Sequence, residues 1–99
     1  MLHKLENKVI TIYLEGELNS FNSEDVEKEI EAILAPKGFD AIVLDAEKLK
    51  YISSAGLRIV ARLKQQYNAL SIINMNNDVY DIFEMVGFTD IIEIKRLKK

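Results

Sequence analysis

The sequence contains no cysteine and only one histidine, His3, among its 99 residues. The absence of cysteine excludes disulfide bonds, thiolate catalysis and zinc–thiolate sites, and it is compatible with a cytoplasmic protein. A serine nucleophile needs a positioned base, and the single histidine lies near the N-terminus. The sequence also has no Walker-type phosphate loop and no Gly-x-Ser-x-Gly elbow. We therefore expect no enzymatic activity, no cofactor and no metal site.

Long hydrophobic runs are missing as well. The longest continuous apolar runs have about four residues, whereas a membrane-spanning helix needs about 20. Residues 1–6 lack the apolar core of roughly 7–15 residues that a secretion signal requires. With 48% hydrophobic and 29% charged residues, the composition is typical of a globular protein. We therefore expect one cytoplasmic domain over residues 1–99, without membrane insertion.

Positive charge is also limited. The net charge is −3, which argues against nucleic acid as a partner. The one basic cluster consists of Lys95, Arg96, Lys98 and Lys99. We interpret this cluster as a solvated tail, and contact with nucleic acid or lipid is the alternative.

Alternating and continuous apolar patterns predict the strands of an α/β domain. An N-terminal hairpin is expected from residues 2–6 and 8–15, with Ile10, Ile12 and Leu14 on one face. The run at 41–45 predicts a strand that is buried on both faces. Two more strands are expected at 70–73 and 91–94.

Apolar residues at helical spacing predict three helices between these strands. The first covers about residues 22–35 after a cap at Asn22 or Ser23, and the second covers 54–67. The third starts after a cap at Asn76 or Asn77 and ends at Gly87, with Val79, Ile82, Phe83 and Val86 as its buried face. The order β-β-α-β-α-β-α-(β) predicts a mostly parallel sheet with right-handed crossovers and an antiparallel edge hairpin.

Residues 51–58 place two serines and two small residues between a predicted strand and a predicted helix. Sites in parallel sheets tend to lie at the carboxyl ends of strands. The small residues leave the helix N-terminus open, with free N–H groups and the positive end of the dipole. A hydroxyl in this position is either a helix cap or a regulated phosphate acceptor.

Three neighbouring residues carry further expectations. Gly56 costs about 1 kcal/mol in a helix relative to alanine, so we expect the close approach of a partner or of a neighbouring strand. Arg58 is expected to face solvent, where it contacts a partner or pairs with an acid. Asp45 is expected to contact or cap the loop that follows it, in preference to binding a metal.

Two stretches together resemble the signature of the STAS domain. This family comprises bacterial anti-sigma factor antagonists and related sulfate-transporter tail domains. The first stretch is Ile42-Val43-Leu44-Asp45, then Leu49, then residues 51–58. The second, residues 14–19, is similar to a Gly-Glu-Leu-Asp type turn after the second strand. Their separation and the expected element order match the family along nearly the whole chain.

The resemblance implies a protein-binding module that is switched by phosphorylation. The unphosphorylated domain would sequester an anti-sigma factor that is also a serine kinase, and this would release the sigma factor. Phosphorylation of a serine at the helix start would end the binding, and a serine phosphatase would restore it. Alignment of the glycine and the following leucine places the acceptor on Ser54, with Ser53 as the alternative.

The implied interface lies around residues 19–23 and 51–62. Its expected partner-binding residues are Asn19, Ser20, Ser53, Ser54, Ala55, Gly56 and Arg58. The kinase would supply ATP, so the domain itself would need no cofactor. We expect the free domain to be a monomer.

Three positions depart from the family pattern. Ser53 stands where aspartate is frequent, Ala55 where serine or threonine is frequent, and Asn19 where aspartate is common. Ser53 removes a negative charge and supplies a competing hydroxyl, whereas Asn19 keeps a hydrogen-bonding group without charge. The alternative function is therefore a constitutive scaffold, or an accessory subunit of a transport or signalling complex, that binds without being phosphorylated.

Overall fold

The computed structural model describes residues 1–98, and it places five strands in one sheet in the order of the chain. Strand β1 pairs antiparallel with β2, and the other pairs are parallel. The strands are β1 (His3–Glu6), β2 (Val9–Leu18), β3 (Ala41–Ile52), β4 (Leu70–Met75) and β5 (Glu93–Arg96). The α/β architecture predicted from the sequence, with its N-terminal antiparallel hairpin, is confirmed.

Helices connect the parallel strands within residues 1–98. They are α1 (Ser23–Leu34), α2 (Ser54–Gln66) and α3 (Asn77–Met85), and a short 3-10 turn (Phe88–Asp90) precedes β5. Crossovers between parallel strands are almost always right-handed, and β2 to β5 follow one another across the sheet. This connectivity places all three helices on the same face.

Burial along the strands agrees with a sheet covered by helices on one face. In β2, the predicted core residues Ile10, Ile12 and Leu14 are buried, and the residues that alternate with them are partly exposed. The same alternation holds in the first half of β3. Because the alternating side chains of β3 are only partly covered, the expectation that this strand is buried on both faces is wrong.

Strand β3 is also longer than the predicted strand at 41–45. It continues to Ile52, because Leu49 and Ile52 are buried and the strand still pairs with the second half of β2. The register shifts twice along this pairing, once near Gly16, whose φ of +65° suits glycine. This segment, in which Glu47, Lys48 and Lys50 interrupt the apolar pattern, therefore forms a bulged strand where the sequence predicted a loop.

The ends of α3 follow their predicted signals with one exception. Asn76 Oδ1 accepts a hydrogen bond from the Val79 N–H at 2.9 Å, which confirms the cap. Gly87, at φ +82°, follows the helix as expected. Val86 is 48% exposed, because α3 ends at Met85, so its predicted burial is wrong.

The last strand starts two residues later than predicted. The 3-10 turn Phe88–Asp90 packs against α3, and the Phe88 ring lies 5.8 Å from the Phe83 ring in an edge-on arrangement. Ile92 is buried before the strand begins. Within residues 1–98, no helix is both long enough and apolar enough to cross a membrane.

Candidate functional site

The two stretches that the sequence singled out meet at the carboxyl edge of the sheet. Leu18 at the end of β2 pairs with Ile52 at the end of β3. The Ser53 N–H donates a hydrogen bond to the Leu18 carbonyl oxygen at 2.9 Å. The loop after β2 and the start of α2 are therefore neighbours, although more than 30 residues separate them in the chain.

Gly56 allows α2 to begin directly against these two strands. A Cβ atom on Gly56 would lie 2.6 Å from Ile52 Cγ1, 2.8 Å from Leu18 Cγ and 3.0 Å from the Leu18 carbonyl oxygen. These distances are too short for carbon contacts without a shift of the backbone or side chains. The sequence led us to expect a close approach to Gly56 by a partner or by a neighbouring strand, and the structure shows the approach of the strands. Gly56 itself is buried.

The two serines have different surroundings at the start of α2. Ser53 occupies the N-cap position in extended conformation, but its side chain makes no cap hydrogen bond. Its Oγ atom is buried and has no hydrogen-bond partner among residues 1–98. Ser54 is the first helical residue and is exposed, and the next residue, Ala55, is partly buried. Ser54 therefore carries the accessible hydroxyl of the pair.

The N-terminus of α2 keeps its positive electrostatic character. Its first turn contains no acidic side chain, and the first N–H groups of a helix lack acceptors within the helix. Such a terminus stabilises an anion through the N–H groups and the dipole. Arg58 is exposed one turn after Ser54 and forms no ion pair within 4.0 Å inside the described part of the chain.

The loop between β2 and α1 is closed by hydrogen bonds between two asparagines. Asn19 Oδ1 accepts from the N–H groups of Phe21 at 2.9 Å and Asn22 at 3.2 Å. In return, Asn22 Oδ1 accepts from the Asn19 N–H at 2.9 Å, and Asn22 Nδ2 donates to the Glu17 carbonyl at 2.8 Å. Asn22 occupies the expected N-cap position of α1, but its side chain holds this loop and makes no cap bond.

This loop presents an aromatic side chain to solvent. Phe21 is 96% exposed, and Ser20 beside it is exposed as well. A second aromatic residue, Tyr51, is 47% exposed just before Ser53 and pairs with Glu17 in the sheet. The interface implied by the resemblance, residues 19–23, includes Phe21, but the sequence did not single it out, because the only local signal is an aromatic residue among turn-forming residues.

An ion pair joins the two helices that carry the site. Arg62 on α2 donates two hydrogen bonds to the Glu27 carboxylate on α1, at 2.8 and 2.7 Å. The Arg62 hydrogen bonds hold the pKa of Glu27 below its usual value, and the same hydrogen bonds raise the pKa of Arg62. The pair links α1 to α2 on the surface of the domain.

Asp45 accepts two hydrogen bonds in the structure. Asp45 Oδ1 accepts a hydrogen bond from the Glu47 N–H at 3.0 Å, which confirms the predicted contact with the following segment. Asp45 Oδ2 accepts from Asn74 Nδ2 at 3.2 Å. Across residues 1–98, no three histidine, aspartate or glutamate side chains are grouped as a metal site would require.

Comparison with known proteins gives a consistent family. The sequence model of the STAS domain family matches residues 3–98. BtrV of Bordetella bronchiseptica, named as a candidate anti-sigma factor antagonist, is 36% identical over 94% of this chain and 82% of its own length. The anti-sigma-B factor antagonist of Listeria monocytogenes is 26% identical over 90% of this chain and 81% of its own length.

A solved structure matches the architecture. The crystal structure of a candidate anti-sigma factor antagonist from Thermotoga maritima superposes with a TM-score of 0.86 at 18% identity. The match covers 95% of this chain and 84% of the other. At that identity the likeness concerns the fold, and it agrees with the strand order and helix placement described above.

Proposed function

The chain belongs to the STAS domain family, and on this premise we propose that it is an anti-sigma factor antagonist switched by phosphorylation of Ser54. One observation supports the switch above all. Ser54 is exposed at the open N-terminus of α2, next to the ordered loop at the end of β2. The names of the relatives support the type of partner.

Accessibility favours Ser54 over Ser53 as the acceptor. A kinase must bring the γ-phosphate of ATP in line with the attacking hydroxyl oxygen. The Ser53 Oγ atom is buried, so its phosphorylation would require a local movement that exposes it. The Ser54 side chain faces solvent and requires no such movement.

The surroundings of Ser54 let the phosphorylated domain keep its fold. A phosphoserine carries about −1.5 to −2 charges, and a helix N-terminus stabilises such an anion. Arg58 follows four residues later, so it lies on the same side of the helix and can pair with the phosphate. The modification therefore changes the surface of the domain and leaves its core unaltered.

The same charge opposes binding to a partner. An interface built against a neutral hydroxyl would have to desolvate a dianion, which costs several kcal/mol without a compensating cation. Because about 1.4 kcal/mol corresponds to a tenfold change in affinity, a cost of this size lowers the affinity enough to dissociate the complex. Local charge is a sufficient switch.

The proposed partner is an anti-sigma factor with serine kinase activity, and a serine phosphatase resets the switch. The domain acts in the cytoplasm and is a monomer when free. Asn19, Ser20, Ser54 and Arg58 supply the contact surface around residues 19–23 and 51–62. Ser53, Ala55 and Gly56 act mainly by placing α2 against the sheet, since each is at least partly buried.

A comparison of four baits tests this proposal. Wild type, Ser54→Ala, Ser54→Asp and Ser53→Ala are used to capture partners from a lysate of the source organism. We expect a protein with a kinase-type ATPase domain on all baits except Ser54→Asp. Capture of one partner by all four baits, particularly a transport component, would contradict the switch and favour a constitutive scaffold.

A further inference from the structure

Phe21 is the most exposed large apolar side chain in residues 1–98, with 96% of its surface accessible. Single exposed apolar residues are ordinary on protein surfaces. Phe21 differs in its position, because it projects from a loop at the carboxyl edge of the sheet, where the accessible hydroxyl of Ser54 also lies. Its ring makes no substantial contribution to the core of its own domain.

The backbone that carries Phe21 is held in place. The Phe21 N–H and the N–H of the following residue both donate to Asn19 Oδ1. Asn22 closes the loop from the other side through Asn19 and the Glu17 carbonyl. An exposed ring on an ordered backbone loses little conformational freedom on binding, and such preorganisation favours affinity.

The loop that presents Phe21 is uncharged. Residues 18–23 contain no acidic or basic side chain, and the turn is held by the neutral amides of Asn19 and Asn22. The exposed Tyr51 adds a second aromatic side chain at the same edge. Aromatic anchors of this kind carry much of the binding energy of protein interfaces when they fill a desolvated pocket.

We infer that Phe21 is the anchor by which the domain inserts into an apolar pocket of its anti-sigma factor. This inference rests on the proposed function, because it assigns a recognition residue within the same interface. Affinity comes mainly from the ring once it is buried in the partner, and Ser54 at the same edge of the sheet carries the phosphate that opposes binding. The partner pocket is apolar, and it does not need to be basic to accept this loop.

The test measures affinity between purified variants and the kinase-type anti-sigma factor captured by the wild-type bait. Phe21→Ala is compared with Met85→Ala, whose side chain is 82% exposed at the end of α3, away from the site. We expect Phe21→Ala to weaken binding about 30-fold or more and Met85→Ala to leave it within twofold. Both variants should melt near the wild-type temperature, because neither side chain is buried.

A salt titration adds a second readout. Apolar burial is insensitive to ionic strength, whereas exposed charge pairs are screened. The ratio of wild-type to Phe21→Ala affinity should therefore stay constant between low and high salt. Wild-type affinity for Phe21→Ala, together with lost binding by Ser54→Asp, would overturn the anchor and leave the proposed function standing. Wild-type affinity for Ser54→Asp would instead overturn the proposed switch.

Discussion

At the scale of single residues, the site depends on one position where a side chain does not fit. Gly56 lies where a Cβ atom would approach Ile52 and Leu18 to less than 3 Å. Glycine is unfavourable within a helix, so its presence here reflects the close contact between α2 and the ends of β2 and β3. The resemblance attached Gly56 to partner binding, and the structure gives it a packing role as well.

Substitution of this glycine should therefore destabilise the domain. We expect Gly56→Ala to lower the free energy of unfolding by about 1–3 kcal/mol, because overpacking outweighs the gain in helix propensity. Gln65→Ala, an exposed position of the same helix, serves as the control and should stay within about 0.5 kcal/mol of wild type. Urea unfolding measures both, and an unchanged Gly56→Ala would contradict the packing argument.

The two N-cap residues Asn76 and Ser53 should differ in how much they contribute to stability. Replacement of an N-cap serine or asparagine by alanine ordinarily costs about 1 kcal/mol. Asn76→Ala should show this loss, because its side chain caps α3 and also donates to the Leu49 carbonyl at 2.9 Å. Ser53→Ala should show none, since its Oγ is buried and unpaired within the described chain. Thermal unfolding of both variants measures these losses of stability. A loss for Ser53→Ala as large as that for Asn76→Ala would refute the distinction.

At the scale of elements, the ion pair between α1 and α2 should give the stability a pH dependence. The pKa of Glu27 in the folded state lies below its ordinary value of 4.5. A lowered folded pKa contributes stability above the unfolded pKa, and this contribution is lost as pH falls through the folded value. Glu27→Gln should therefore lose less stability than wild type on acidification below about pH 4.5.

Urea unfolding between pH 7 and pH 3 measures this difference. Glu84→Gln, at an exposed position of α3 that forms no ion pair among residues 1–98, provides the control and should follow the wild-type profile. The difference between wild type and Glu27→Gln should shrink in high salt, because the pair is partly exposed. If the free energy of unfolding of wild type and of Glu27→Gln changed with pH in parallel, the ion pair would not contribute to the pH dependence of stability.

The elements that the sequence predicted well are those with uninterrupted signals. Helix α3 has a capping asparagine, an apolar stripe and a glycine after its last turn. The cap and the glycine were placed correctly, and of the stripe Val79 and Phe83 are buried as predicted, Ile82 is only partly buried and Val86 is exposed.

Strand β3 was predicted seven residues too short (45 against 52), because Glu47, Lys48 and Lys50 interrupt the apolar pattern of its second half. Its pairing with β2 depends on contacts between distant segments, which local patterns do not encode.

At the scale of the whole molecule, the sheet order determines where the site lies. Parallel strands that follow one another across the sheet, with the usual right-handed sense of such connections, put the helices on one face and bring the ends of β2 and β3 to one edge. The predicted order of elements was sufficient to place residues 51–58 at such an edge. The exposure of Phe21 was not predictable in this way, because it follows from the hydrogen bonds that close the Asn19–Asn22 loop.

The central claim is that a phosphate on Ser54 ends binding to the anti-sigma factor. Calorimetric titration of that partner with unphosphorylated and Ser54-phosphorylated domain tests the claim most directly, with the site of modification verified by mass spectrometry. We predict that phosphorylation weakens binding at least about 100-fold, equivalent to about 3 kcal/mol, without changing the melting temperature substantially. Equal affinity of the two forms would contradict the account.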